Sequence, residues 1–138
     1  MMHTIISYLI LLLTGMVMHG QNTVEVSIRD FDHDSGHVRV GLYNDENNFL
    51  EKTYKSVKME IVNKQATVTF TDIPDGTYAI SCYHDEDDNG QLNMLMGMIP
   101  SEPYGTSNNA RGFFGPPKWK DARFELKDGE LRKLDINM

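Results

Sequence analysis

The chain has one cysteine, Cys82, and one tryptophan, Trp119, among its 138 residues. A single cysteine excludes any disulfide within the chain, and it excludes the zinc sites that need a second thiolate. Long apolar runs are lacking as well. The one such run, from Ile5 to Leu13, is well short of the ~20 apolar residues that span a bilayer. The first twenty residues hold no Asp, Glu, Lys or Arg, so the formal net charge of −7 falls on the remainder. An acidic domain repels nucleic acid and anionic membrane surfaces, and neither is expected as a partner. Helical spacing of apolar residues is also missing throughout.

An uncharged apolar core near the N-terminus, followed by Gly20 and a polar stretch, has the form of a secretory signal peptide. Residues 1–20 are read as that peptide, cut between Gly20 and Gln21. Residues 21–138 then form one exported domain, periplasmic or secreted, with no stable membrane span after cleavage. No cysteine follows the cut to carry a lipid. A chain of this length supports a single core.

What is present is alternation. Val24, Val26 and Ile28 share one face of a segment, as do Val38, Val40 and Leu42. Val57, Met59 and Ile61 repeat the pattern, and so do Ala66, Val68 and Phe70, then Tyr78, Ile80 and Cys82. Ala122, Phe124 and Leu126 form a sixth run, and Leu131, Leu134 and Ile136 a looser seventh. A period of two marks half-buried strands. Asp34-Ser35-Gly36, Pro74-Asp75-Gly76 and Lys127-Asp128-Gly129 supply turns between them. About seven short strands predict an all-β, single antiparallel two-sheet sandwich. Asp45 to Lys55 is expected to hold a short helix or an irregular crossover. Tyr78, just after a tight turn, resembles the tyrosine corner of Greek-key sandwiches, whose phenol bonds back to the main chain. Cys82 is expected in the core.

The alternation stops between His84 and Lys120. This stretch is rich in Gly, Pro, Asn and Met, yet it carries too many apolar residues for a linker. Long irregular segments inside compact domains are usually functional or disordered. Residues 84–120 are therefore read as an ordered loop excursion over one end of the sandwich.

Its first residues carry the most chemistry. Asp85-x-Asp87-x-Asn89-Gly90 alternates side-chain oxygens and then offers a glycine for a sharp turn, as in the first half of a calcium loop. In this reading Asp85, Asp87 and Asn89 give side-chain oxygens, and Gln91 its main-chain carbonyl. Asn93 binds directly or through water. The carboxylate that closes an EF-hand loop is absent, since Met96 stands there, and Glu102 is the candidate to replace it. The expected cofactor is Ca2+. The competing reading is a solvated acidic turn, because Asp, Asn and Gly favour turns in any case. A second acidic turn, Asp30-x-Asp32-x-Asp34, is better explained as a hairpin turn. His84 lacks the companions of a structural zinc site and is expected to fix the loop by a hydrogen bond.

Tyr104, Asn108, Asn109, Phe113, Phe114 and Trp119 are candidate ligand-binding residues, as a platform for a glycan or peptide without metal. The plainer reading is that the aromatics cap the core. Ser101 and Ser107 lack a nucleophile elbow, and catalysis by Asp85 or Glu102 as general base ranks third.

The order of short motifs is itself informative. His84-Asp85-x-x-x-Asn89-Gly90-x-Leu92-Asn93 precedes Gly97-x-Ile99-Pro100-x-Glu102-x-x-Gly105-x-Ser107-Asn108-Asn109-Ala110, then Phe114-Gly115-Pro116-Pro117 and Asp121-Ala122. This string resembles a family of small exported bacterial proteins catalogued as a domain of unknown function. The resemblance covers nearly all of residues 21–138. It implies export, an Ig-like or transthyretin-like Greek-key sandwich, and an excursion that is a defined feature. It implies no activity, and the ligand or cell-envelope partner stays open. Relatives often carry Asp where this chain has Asn93.

Overall fold

The computed structural model describes residues 21–91, 94–95, 99–100, 102–112 and 115–138. The expected signal segment 1–20 lies outside the described residues, as do Asn93, Phe113 and Phe114. The alternating segments form strands β1 (Asn22–Arg29), β2 (His37–Tyr43), β3 (Lys55–Glu60), β4 (Ala66–Ile73) and β5 (Gly76–Asp85). The excursion contributes three short strands, β6 (Met94–Leu95), β7 (Ile99–Pro100) and β8 (Tyr104–Thr106). A short helix α1 (Trp119–Ala122) leads into β9 (Phe124–Leu126), and β10 (Leu131–Asn137) ends the chain. Single 3-10 turns cover Glu46–Asn48 and Ser107–Asn109.

Two sheets pack face to face. One has the order β10-β1-β4 and the other β3-β2-β5-β8, with β9 also paired to β5. This is the all-β sandwich expected from the alternation. The turns do a different job from simple hairpins, however. β1 to β2, β3 to β4, β4 to β5 and β9 to β10 each pass from one sheet to the other, and only β2–β3 joins sequential neighbours within a sheet among β1–β5. The Pro74-Asp75 turn is such a corner, and the Tyr78 hydroxyl donates to the Pro74 carbonyl at 2.7 Å across it. One pairing departs from the antiparallel expectation: β10 lies parallel to β1, with Val26 opposite Leu134. Crossing between sheets after β9 brings the C-terminal strand in beside β1 in the same direction.

The core lies between the sheets. Val24, Val26, Ile28, Val68, Phe70 and Ile136 meet Val38, Val40, Leu42, Ile80 and Cys82, all essentially buried. Each such side chain contributes roughly 1.5–3 kcal/mol on burial. Leu131 breaks from the seventh run and faces solvent, 56% exposed. Arg132 takes the inward phase beside Leu134 and Ile136, sitting over the Phe124 ring at 5.9 Å. Its guanidinium donates to the Glu125 carbonyl at 2.9 Å. A second, smaller cluster joins Ala79, Ala110 and Ala122 with Phe49 and Trp119. Ser107 ties it to the sheet, accepting from the Ile80 amide at 3.0 Å and donating to the Ala122 carbonyl at 2.6 Å.

Candidate metal centre

Alternation decides what the end of β5 presents. Ile80, Cys82 and His84 continue the buried inner phase, so Asp85 falls in the other phase with Tyr83 and Ser81. His84 and Asp85 are both fully buried, although both are polar. Each is therefore obliged to find partners, because an unpaired polar group is costly away from water.

Asp85 finds three donors. Arg39, from β2, gives its Nε to Asp85 Oδ2 at 2.6 Å. The Gly90 amide reaches the same oxygen at 2.9 Å, and the Asn89 amide reaches Oδ1 at 3.2 Å. The carboxylate thus folds the following loop around itself, and the Tyr83 hydroxyl closes it by donating to the Gly90 carbonyl at 2.9 Å. Burial alone would push the Asp85 carboxyl up. Arg39 and the two amides outweigh burial and hold it below the usual carboxylate range. Gly36 lets the β1–β2 turn approach this strand end: its φ is +71°, and a Cβ there would collide with the Asp85 carbonyl oxygen.

The excursion returns to the same place. The Pro103 carbonyl accepts from the His84 amide at 2.8 Å, and β8 pairs with β5 at Ser81–Tyr83. That return buries Glu102, whose Oε2 accepts from the Glu86 amide at 2.7 Å. Asp85, Asp87 and Glu102 consequently offer carboxylate oxygens that all lie within 4.8 Å of one another. Two of the three are buried and Asp87 is exposed. Three carboxylates at this spacing repel one another, and a hard oxygen-seeking cation is a natural counter-charge.

Two of the other expected ligands, Asn89 and Gln91, sit on the rim. Asn89 Oδ1 accepts from the Gln91 amide at 2.9 Å, so it is turned onto its own loop, and both residues are exposed. The second acidic turn is a turn: Asp34 accepts from the amides of Asn63 and Lys64 at 3.0 and 2.7 Å. His84 fixes the loop as expected, with Nε2 donating to the Ser35 carbonyl. Cys82 is buried, and burial pushes its thiol up to about 12.

The candidate ligand-binding residues are not gathered into one platform among the described residues. Tyr104 lines an open groove of about 310 Å3 with Asp32, Glu86, Glu102 and Arg111, and Arg111 stands over its ring at 5.8 Å. Trp119 packs elsewhere, edge-on to Phe49 at 5.7 Å. Asn108 donates to the Asp121 and Arg123 carbonyls at 3.1 and 2.9 Å, and Asn109 accepts from the Asn137 amide at 3.0 Å. These amides pin α1 and β10.

Sequence reasoning missed Arg39, His33, His37 and Glu86. Arg39 reads as an ordinary outward residue of β2, and only the β2–β5 register, with Arg39 opposite Tyr83, brings it to Asp85. The same register carries the β1–β2 turn over the loop. His33 Nε2 then meets Glu86 Oε2 at 2.7 Å, and His37 Nδ1 meets Asp88 Oδ1 at 2.6 Å.

The fold and these side chains define a two-sheet β-sandwich with an acidic and histidine-bearing cluster at one end, able to hold a metal ion. The chain belongs to a family described as uncharacterized proteins conserved in bacteria (DUF2141), whose model matches residues 26–133. No curated protein and no solved structure matches it. Among the described residues, no helix is long and apolar enough to cross a membrane.

Proposed function

We propose that the protein is an exported, non-enzymatic β-sandwich that binds a divalent cation, calcium, between Asp85, Asp87 and Glu102. The convergence of these three carboxylates from the two ends of the excursion carries the reading. Oxygen-only donors favour a hard ion, and the exposed rim of Asn89 and Gln91 leaves room for the larger, more tolerant calcium over magnesium. The ion would offset repulsion among the carboxylates and clamp residue 102 to the loop at 85–90. The excursion would then present its surface, including the Tyr104 groove, to a ligand or partner in the cell envelope or outside the cell. The uncharged apolar run at the N-terminus supports export.

A thermal melt with and without calcium tests this. An ion that binds only the folded state adds about 2.7 kcal/mol when present at a hundred times its dissociation constant. The melting temperature should rise with calcium in the native chain and stay fixed in Glu102→Gln. An identical rise in both would place any calcium elsewhere and refute the assignment.

A further inference from the structure

The inner face of the β5 end holds a second cluster that the calcium reading does not use. His33, His84 and Glu86 each offer one ligand atom, and these atoms lie within 4.8 Å of one another. Two imidazoles and one carboxylate make a different donor set from the three carboxylates nearby. Nitrogen donors suit first-row transition ions such as zinc, whereas calcium prefers oxygen.

His84 supplies the independent observation. It is fully buried, with its ring edge-on to Phe31 at 5.2 Å and 4.7 Å from the His33 ring. Its Nε2 faces the Ser35 carbonyl, which can only accept, so Nε2 carries the proton. The lone pair of the neutral ring is then on Nδ1. Among the described residues, Nδ1 has no hydrogen-bond partner, although it is buried. A ring with one nitrogen fixed by a main-chain carbonyl and a buried lone pair on the other is the form in which histidine ligates metals.

His33 and Glu86 complete the set from partly exposed positions. Their side chains are 42% and 35% exposed, so both can close on an ion held by the fixed His84. Zinc bonds of ~2.1 Å in a tetrahedron set ligand atoms roughly 3.4 Å apart, so no pair need contract by more than about 1.4 Å. His33 Nδ1 accepts from the Ser35 amide at 3.2 Å, which places the ring proton on Nε2, toward Glu86. Metal binding through Nε2 moves that proton to Nδ1 and gives up this long, exposed contact. The ring stays neutral, and no proton is gained or lost overall.

We propose that His33, His84 and Glu86 form a three-ligand site for a divalent transition ion of the zinc class, with a fourth position open to solvent. It is separate from the calcium reading and does not depend on it.

Calorimetric titration of zinc into the chelator-treated full chain, with cobalt absorption as a spectroscopic readout, tests the site. One zinc should bind per chain, cobalt should give the visible bands of a nitrogen- and oxygen-ligated ion, and saturating calcium should leave both unchanged. His33→Gln and Glu86→Gln alter partly exposed side chains and should still fold; each should weaken zinc at least ~10-fold, in line with loss of a ligand. His37→Gln, which lies outside the trio, should bind as the native chain does. No zinc binding, unaltered affinity in His33→Gln and Glu86→Gln, or displacement of zinc by calcium would each overturn the proposal.

Discussion

Arg39→Met isolates the cation that already serves the acidic loop. Methionine keeps the apolar stem and removes the guanidinium that meets Asp85 at 2.6 Å. Removing one partner of a buried pair costs ~3–5 kcal/mol. The Arg39 side chain is 31% exposed, so water already screens part of the pair. The amides of Gly90 and Asn89 also remain on Asp85. About 2 kcal/mol at pH 7 is the expected loss. For a domain of this size that is a fall of roughly 8 °C in melting temperature. The pH dependence sharpens the test. In the native chain the Asp85 carboxyl is held low, so its contribution is present above the unfolded value near pH 3.9 and is lost as pH falls through the folded value. Without Arg39, burial is opposed by the amides alone, and the carboxyl moves upward. Acidification then relieves the variant before it harms the native chain, and the gap between them narrows as pH falls from the variant's folded value through the native chain's lower one. Urea unfolding at a series of pH values reads this directly. A gap under about 0.5 kcal/mol at pH 7, or one that is constant with pH, would refute the role given to Arg39.

Three further outcomes follow from the fold. Tyr78→Phe removes the 2.7 Å bond to Pro74 and should cost about 1 kcal/mol in urea unfolding; no loss would mean the corner does not depend on it. Ser107→Ala leaves the buried Ile80 amide without its 3.0 Å acceptor and should cost about 2 kcal/mol, while an unchanged midpoint would show that water replaces the hydroxyl. Cys82, buried with its thiol pushed up to about 12, should resist a thiol reagent in the folded protein and react in denaturant; rapid labelling of the folded chain would contradict the packing.

The strands were legible because burial follows a period of two. Val24, Val26 and Ile28 announce both their strand and their face, and Tyr78 announces its corner. Pairing partners were less so. Nothing local to Leu131–Asn137 says that this strand lies parallel to β1, because the partners are more than a hundred positions apart. Leu131 misled because hydrophobicity alone does not set phase; Arg132 can turn its stem inward and send its guanidinium to the Glu125 carbonyl. At the loop, spacing pointed to Asp85 and Asp87, and the missing closing carboxylate pointed to Glu102, which the β8 return does bring alongside. Arg39, His33 and Glu86 gain their meaning only from the register between β2 and β5 and from the turn it carries. Tyr104 and Trp119 looked alike in sequence, yet one lines a groove and the other packs on Phe49.

The most direct test of the proposed calcium centre is calorimetric titration of calcium into the chelator-treated protein beside Asp87→Asn. Asp87 is exposed, so the substitution leaves the core and the Arg39–Asp85 pair in place. One saturable site in the native chain, weakened at least ~10-fold in Asp87→Asn, is the result the account requires, since calcium affinity follows the charge of its ligands. No heat in the native chain, or equal affinity in both, would make residues 85–91 an acidic turn held by Arg39 and not a calcium site.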